Sequence, residues 1–371
     1  MGLSNYLSRI QFDFGAVAVL SGELALLGVK RPLIVTDKGV QSAGLLDRIT
    51  DQLVKNAYAV YADTPSNPTE QAALAALRVY NGENCDGVIA LGGGSPIDLG
   101  KAVALLASHG GSLGDYNVQK GGSEKIGAIA PVIAIPTTAG TGAEVGRACV
   151  MTLADGTKSD AVSLNLIPRT VICDPELTLG LPPGITAATG MDALSHGIET
   201  YVSNQINPPA EGLALDCIRR IAGNIETAYH NGSDRNARWE MLAGALEGGM
   251  VLQKGLGAVH ALSSPLGELK LHHGTLNAVL MPHVYEFNRD AAREKYQLIA
   301  RLIGLKNEDG LGTWLQKLNE TFGMPVSLGA MGVTSDIVPD MAEKAARTHL
   351  SKTNPRAATA ENYVTLLNAA L

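Results

Sequence analysis

The sequence predicts an α/β half built on a parallel sheet, followed by an all-α half. Three observations carry that reading. Short β-branched runs alternate with helical stretches up to about residue 178, as parallel strands require, since each must be joined to the next by a long crossover. A glycine-rich turn, Gly92-Gly93-Gly94-Ser95-Pro96, leaves one such run and opens a helical pattern. After Leu179 the texture changes to long Ala- and Leu-rich stretches with few β-branched clusters.

In order, 31–37 (RPLIVTD) reads as a buried strand, 42–56 as a helix, 58–62 as a strand, 68–81 as a helix, 87–91 (GVIAL) as a strand and 96–108 as a helix. Residues 132–136 (VIAIP) add a strand, and 148–153 and 170–174 read as strands around a less regular insert. Residues 186–202, 211–230 and 236–253 carry helical patterns. The proline- and glycine-bearing join DPELTLGLPPG at 174–184 divides the chain into 1–178, a dinucleotide-binding α/β domain, and 179–371, a helical domain. A cleft between the two is the expected place for chemistry.

Composition narrows the class. Of 371 residues, 46% are hydrophobic and 18% charged, which suits a large folded core rather than disorder. The net charge of −7, with Lys and Arg scattered, argues against a nucleic-acid partner, because counterion release needs a basic surface. No stretch is long and apolar enough to span a membrane, and the start, MGLSNYLSRIQFDFG, lacks the apolar region of a secretory signal, so a cytoplasmic protein is expected. Cys85, Cys149, Cys173 and Cys217 form no C-x-x-C pair and read as reduced core residues.

The glycine turn removes side chains where backbone N–H groups at a helix start can approach a pyrophosphate. It matches neither G-x-G-x-x-G nor a Walker A sequence, so simple tight packing competes with this reading. A second turn, Pro136-Thr137-Thr138-Ala139-Gly140-Thr141-Gly142, leaves the VIAIP run with hydroxyls able to meet phosphate or ribose. Asp37 closes RPLIVTD, where a carboxylate accepts from ribose hydroxyls and repels a 2′-phosphate, favouring NAD over NADP; a helix cap is the competing role.

In the helical half, Asp192 and His196 stand at i and i+4 and share a helix face among small, apolar neighbours. An isolated pair of this kind is often a surface ion pair, but a buried one needs a further partner. His260, His272 and His273 lie close together in sequence. A carboxylate with three imidazoles makes an N/O donor set that suits Fe(II), Zn or Mn alike.

The segments GGGSPIDLGKA (92–102), PTTAGTGAE (136–144), ATGMDALSHGIE (188–199), GLGAVHALSSPLG (255–267) and HHGTLNAVLMPHV (272–284) together resemble the iron-containing, group III alcohol dehydrogenases. The resemblance runs end to end, through PSNPT at 65–69 and DPELTLGLP at 174–182. Within the family the text is most similar to bacterial 4-hydroxybutyrate dehydrogenases, notably in LQKGLGAVHALS and LHHGTLNAV. It implies a Rossmann-like domain followed by a helical metal-binding domain, the architecture of dehydroquinate synthase. Position by position, it places metal ligands on Asp192, His196, His260 and His273, and cofactor contacts on Asp37, Asn67, Gly93, Gly94, Ser95, Asp98, Thr137, Thr138 and Lys158.

The implied cofactors are NAD and Fe2+, with Zn2+ as an alternative, and the implied assembly is a homodimer. The implied activity is reversible hydride transfer between NAD and a small primary alcohol or its aldehyde, with an ω-hydroxy acid such as 4-hydroxybutyrate as substrate. One departure stands out: where relatives read H-A-x-x-H-P-L-G, this chain has Ser264 in place of the second histidine. Proton relay is therefore expected of Ser264, His272 or a ribose hydroxyl. Arg147 and Lys254 are candidates to bind a substrate carboxylate, with a solvated surface charge as the ordinary alternative. Three readings compete: reduction of another short aldehyde (lactaldehyde, a phosphono- or a sulfoaldehyde), a dehydroquinate-synthase-like lyase, and a metal-free dinucleotide sensor.

Overall fold

The computed structural model describes residues 8–371; the first seven, where the reading of the chain start begins, lie outside the described residues. The chain forms two compact units, divided between Leu181 and Pro182. In the first, the elements run β1 (Arg9–Phe12), α1 (Leu20–Leu26), β2 (Pro32–Val35), α2 (Lys38–Ser42), α3 (Leu45–Thr50), β3 (Ala59–Tyr61), α4 (Glu70–Gly82), β4 (Gly87–Gly92), α5 (Gly94–His109), β5 (Val132–Pro136), β6 (Ala148–Thr152), β7 (Lys158–Val162) and β8 (Thr170–Cys173). Six strands make one sheet in the order β1-β8-β5-β4-β2-β3, every pair parallel.

The near-continuous apolar runs have a direct cause, because both faces of this sheet are covered. Leu33, Val35, Val88, Ala90, Val132 and Ala134 pack on one side with Ala73 and Ala76 of α4 and Leu99 and Val103 of α5. Their neighbours Ile34, Ile89, Leu91, Ile133, Ile135 and Ile172 pack on the other with Leu20 and Leu24 of α1 and Ile49 of α3. Period-two alternation of the side chains thus fills two cores from one strand set.

Three local features depart from the sequence expectation. Residues 42–56 do not form one helix, because Gly44, at φ 72°, ends the first turn sequence and starts α3. β1 is an additional strand, too short to show a periodicity, paired with β8 from Arg9↔Thr170 to Phe12↔Cys173. Residues 148–152 join no part of the main sheet but pair antiparallel with β7, another unexpected strand. The four cysteines are buried and free.

The second unit is helical throughout its described length: α6 (Pro183–Val202), α7 (Pro208–His230), α8 (Arg235–Val251), α9 (Ala258–Leu266), α10 (His273–Asn288), α11 (Arg293–Leu302), α12 (Gly310–Thr321), α13 (Val338–Arg347) and α14 (Ala360–Ala370), with short 3-10 turns between several of them. Pro182 and Pro183 start α6, where fixed φ angles and missing N–H groups cost nothing. From Thr186 to Val202 every residue of α6 is buried, and the helix packs against α7, α8 and α10. Small residues permit this: a Cβ on Gly190 would come within 2.7 Å of Ile225 and Met241, and one on Gly197 within 2.9 Å of Ile218. Among the described residues no helix is long and apolar enough to cross a membrane.

Two glycines set how closely elements approach. A Cβ at Gly100 of α5 would lie 2.8 Å from the Ala90 Cβ of β4, and one at Gly274 of α10 would lie 2.1 Å from the Ala188 carbonyl oxygen of α6. Gly100→Ala is expected to lower stability by about 1–3 kcal/mol through overpacking. Gly274→Ala is expected to cost more than Gly100→Ala, because its obstacle is backbone. Denaturant midpoints measure both, and an unchanged midpoint for Gly274→Ala contradicts the packing described.

Candidate metal centre

Helix geometry alone brings the first two donors together: Asp192 and His196 lie one turn apart on α6, with Nε2 of His196 3.5 Å from Oδ1 of Asp192. Two further imidazoles arrive at the beginnings of helices. His260 is in the first turn of α9 and His273 is the first residue of α10. Their Nε2 atoms stand 3.6 and 3.7 Å from the same Oδ1. The His196 and His260 rings stack at 4.8 Å and 24°, and His260 meets His273 edge-on at 5.3 Å.

Asp192, His260 and His273 each offer a ligand atom within 4.8 Å of the others, a set that could hold a divalent ion, whereas His196 meets the same Asp192 oxygen but falls outside that group. Ligand atoms about 2.1 Å from a tetrahedral centre are ~3.4 Å apart, close to the three separations found. Asp192, His196 and His260 are buried, while the His273 side chain is 40% exposed and opens the site on that side. Burial alone would discourage ionisation of Asp192, yet the imidazoles of His196, His273 and His260 outweigh it and hold the carboxyl far below the ordinary range. For His260 the balance is similar: burial disfavours the charged ring, and Asp192 and Glu199 push it up to about 9.

Two residues of this cluster went unrecognised in the sequence. Glu199 accepts a 2.7 Å hydrogen bond from Nδ1 of His260. Asn277 donates from Nδ2 to Oδ1 of Asp192 at 2.7 Å and lies 3.2 Å from Nε2 of both His260 and His273. Its Oδ1, buried without a hydrogen-bond partner, is a further oxygen beside the set. Helical periodicity puts both on the recognised faces, Glu199 at i+7 from Asp192 and Asn277 at i+4 from His273, but does not by itself set them apart from surface polar residues.

The remaining expected residues divide. Ser264 is half-buried one turn beyond His260 on α9. His272 is exposed at the N-cap of α10, with Nδ1 3.3 Å from Oγ1 of Thr275. Lys254 does not have the role expected of it: it is buried, and its ammonium bonds the carbonyls of Thr200 (2.6 Å) and Tyr201 (3.0 Å) and pairs with Glu211 at 3.0 Å. Those contacts close the C-terminus of α6 and use up the donors a substrate carboxylate would need. Arg147, by contrast, is exposed just before β6.

In the first unit, the expected cofactor contacts gather mainly at the carboxyl ends of β2, β4 and β5, where open α/β sheets bind ligands. Gly93 caps α5, and a Cβ on it would come within 3.3 Å of the Thr138 hydroxyl; one on Gly94 would come within 2.8 Å of Thr141. The two loops therefore pack against each other only because the first lacks side chains. Gly92, at φ 145°, accepts from the Thr137 N–H at 3.0 Å. The Ser95 hydroxyl donates to the Ser66 carbonyl at 2.6 Å, tying the turn to the residue before Asn67. Asp37 caps α2 by accepting from the Val40 N–H at 2.8 Å. Asp98 accepts from the Val150 N–H at 3.1 Å and lies 3.8 Å from the buried Lys101 ammonium; burial pushes its carboxyl up to about 6. Lys158 opens β7 opposite Thr152, whose N–H donates to the Pro68 carbonyl at 2.9 Å, beside Asn67.

Comparison with known proteins places this geometry in a family. Residues 8–175 match the family model described as iron-containing alcohol dehydrogenase, and 186–371 match the C-terminal model of the Fe-containing alcohol dehydrogenase family. A 4-hydroxybutyrate dehydrogenase of Cupriavidus necator is 46% identical over the full length of both chains. Among solved structures, a 1,3-propanediol oxidoreductase superposes over 100% of both chains with a TM-score of 0.93 at 35% identity. A sulfoacetaldehyde reductase from Bifidobacterium kashiwanohense in complex with NAD+ does so with a TM-score of 0.90 at 28% identity, over 100% of this chain and 98% of that one. With both halves of its sequence matched in order, the chain belongs to the iron-containing alcohol dehydrogenase family.

Proposed function

We propose that this protein is an NAD-dependent, iron-containing dehydrogenase of ω-hydroxy acids, 4-hydroxybutyrate foremost, that interconverts a primary alcohol and its aldehyde. The observation that carries this reading is the single oxygen, Oδ1 of Asp192, standing at 3.5, 3.6 and 3.7 Å from three imidazole nitrogens. The C. necator relative supports the substrate class, and the NAD+-bound neighbour supports the cofactor. The first unit takes the dinucleotide and the second the metal. The protein works as a cytoplasmic homodimer.

Asp192, His196, His260 and His273 hold the ion. When bound, a divalent cation supplies charge stabilisation to a developing alkoxide and polarises the aldehyde in the reverse direction, while the nicotinamide supplies the hydride chemistry. The N–H groups of Gly94 and Ser95, at the positive end of α5, receive the pyrophosphate, with the Thr138 hydroxyl beside them. The Asp37 oxygen not engaged by Val40 accepts from a ribose hydroxyl. Ser264 Oγ or His272 Nδ1 passes the alcohol proton outward, in place of the histidine this chain lacks.

Three results test this reading. Protein purified without oxygen contains about one Fe per chain, reduces NAD with ω-hydroxy acids in preference to unsubstituted alcohols, and in reverse oxidises NADH with the matching ω-semialdehyde in preference to lactaldehyde or sulfoacetaldehyde. His260→Ala loses metal and turnover together; turnover by a verified metal-free sample contradicts the proposal. Arg147→Ala reduces kcat/KM for 4-hydroxybutyrate by about 10–100-fold through loss of a charged hydrogen bond while sparing butanol. An unchanged preference removes Arg147 from carboxylate recognition.

A further inference from the structure

The structure assigns to Glu199 the positioning of His260: its carboxylate selects the imidazole tautomer that can ligate a metal ion and at the same time anchors the helix that carries the ring. This inference rests on the metal reading above and concerns a residue outside the ligand set.

Glu199 is 3% exposed and lies on the buried helix α6. A carboxylate so placed has to find donors, and the start of α9 supplies them. Oε1 accepts from the Val259 N–H at 2.7 Å, and Oε2 accepts from Nδ1 of His260 at 2.7 Å and from the His260 N–H at 3.4 Å. The backbone bonds satisfy N–H groups that a helix start leaves unpaired, and the negative charge is favoured at that end of the dipole. The neighbouring Ala258 N–H goes instead to Oδ1 of Asn354, 3.1 Å away. Gly257, the N-cap, has no room for a side chain between the two: its Cβ would lie 2.8 Å from Glu199 Oε1 and from Asn354 Oδ1.

The side-chain bond has a separate consequence. A carboxylate only accepts, so Nδ1 of His260 keeps its proton, and an ion that displaces the proton on Nε2 would meet that atom's lone pair beside Asp192 Oδ1. An amide at position 199 cannot serve both partners. If its oxygen takes the Val259 N–H, its NH2 donates to Nδ1 and puts the ring proton on Nε2, facing the ion. If it turns over, the ring keeps the right tautomer but the NH2 confronts the Val259 N–H.

The experiment compares wild type, Glu199→Gln and Asn354→Ala, each freed of metal, by Zn2+ affinity in competition with a chromophoric chelator and by melting temperature of the metal-free protein. Wild-type binding establishes the site, and its failure overturns the metal reading itself. Glu199→Gln is expected to bind Zn2+ about 10–100-fold more weakly while melting no lower than Asn354→Ala, which should lose stability and keep wild-type affinity. Wild-type affinity in Glu199→Gln overturns the inference. So does an equal loss in Asn354→Ala, since capping of α9 would then explain both. Should Glu199→Gln not fold, histidine-labelled, zinc-loaded wild type decides: an exchange-protected Nδ1–H on His260 is expected, and ligation through Nδ1 or an unprotected Nδ1–H overturns it.

Discussion

A carboxylate in the buried stretch Thr186–Val202 of α6 is the constraint around which the second unit is arranged. Asp192 is 2% exposed, and a buried carboxylate needs partners, which other elements supply. Besides His196 on the same face, these are His260 and His273 at the starts of α9 and α10, and the Asn277 amide. Because both partner helices present their N-termini, their positive ends lie beside the carboxyl groups of Asp192 and Glu199. The close α6–α10 approach permitted by Gly274 is part of the same arrangement, since any side chain there would drive His273 away from Asp192. Packing and electrostatics are therefore not separable at this site.

The first unit solves a different problem with a different economy of residues. Its parallel strands end together, and the loops after β4 and β5 touch across Gly93, Gly94, Thr138 and Thr141. Glycine is needed there for clearance between loops and, at Gly92, for a backbone angle of φ 145°. Clearance of this kind leaves backbone N–H groups as the principal donors at the helix start, which suits a ligand recognised by its phosphates rather than by its base.

Much of this was legible in the sequence because it depends on short-range periodicity. The runs 31–37, 87–91 and 132–136 announce buried strands, and both faces of the sheet are indeed filled by alternate residues of the same strands. The spacing of Asp192 and His196 announces a shared helix face. What escaped was fixed by tertiary neighbours. Lys254 reads as a free cation beside a ligand segment, but the open carbonyls ending α6, far away in sequence, claim its ammonium. Glu199 and Asn277 sit at helical spacings from recognised ligands, yet an acidic residue or an amide at such a spacing is ordinarily a solvated surface group, and only burial shows that neither is. β1 and β7 are too short, and too mixed in polarity, for their pairing to appear before their partners are in place.

Anomalous diffraction across the iron edge, from crystals of protein purified without oxygen, tests the metal centre most directly. One peak per chain is expected, bonded by Oδ1 of Asp192 and by Nε2 of His196, His260 and His273. A map with no peak there, and with those four side chains pointing apart, would contradict it.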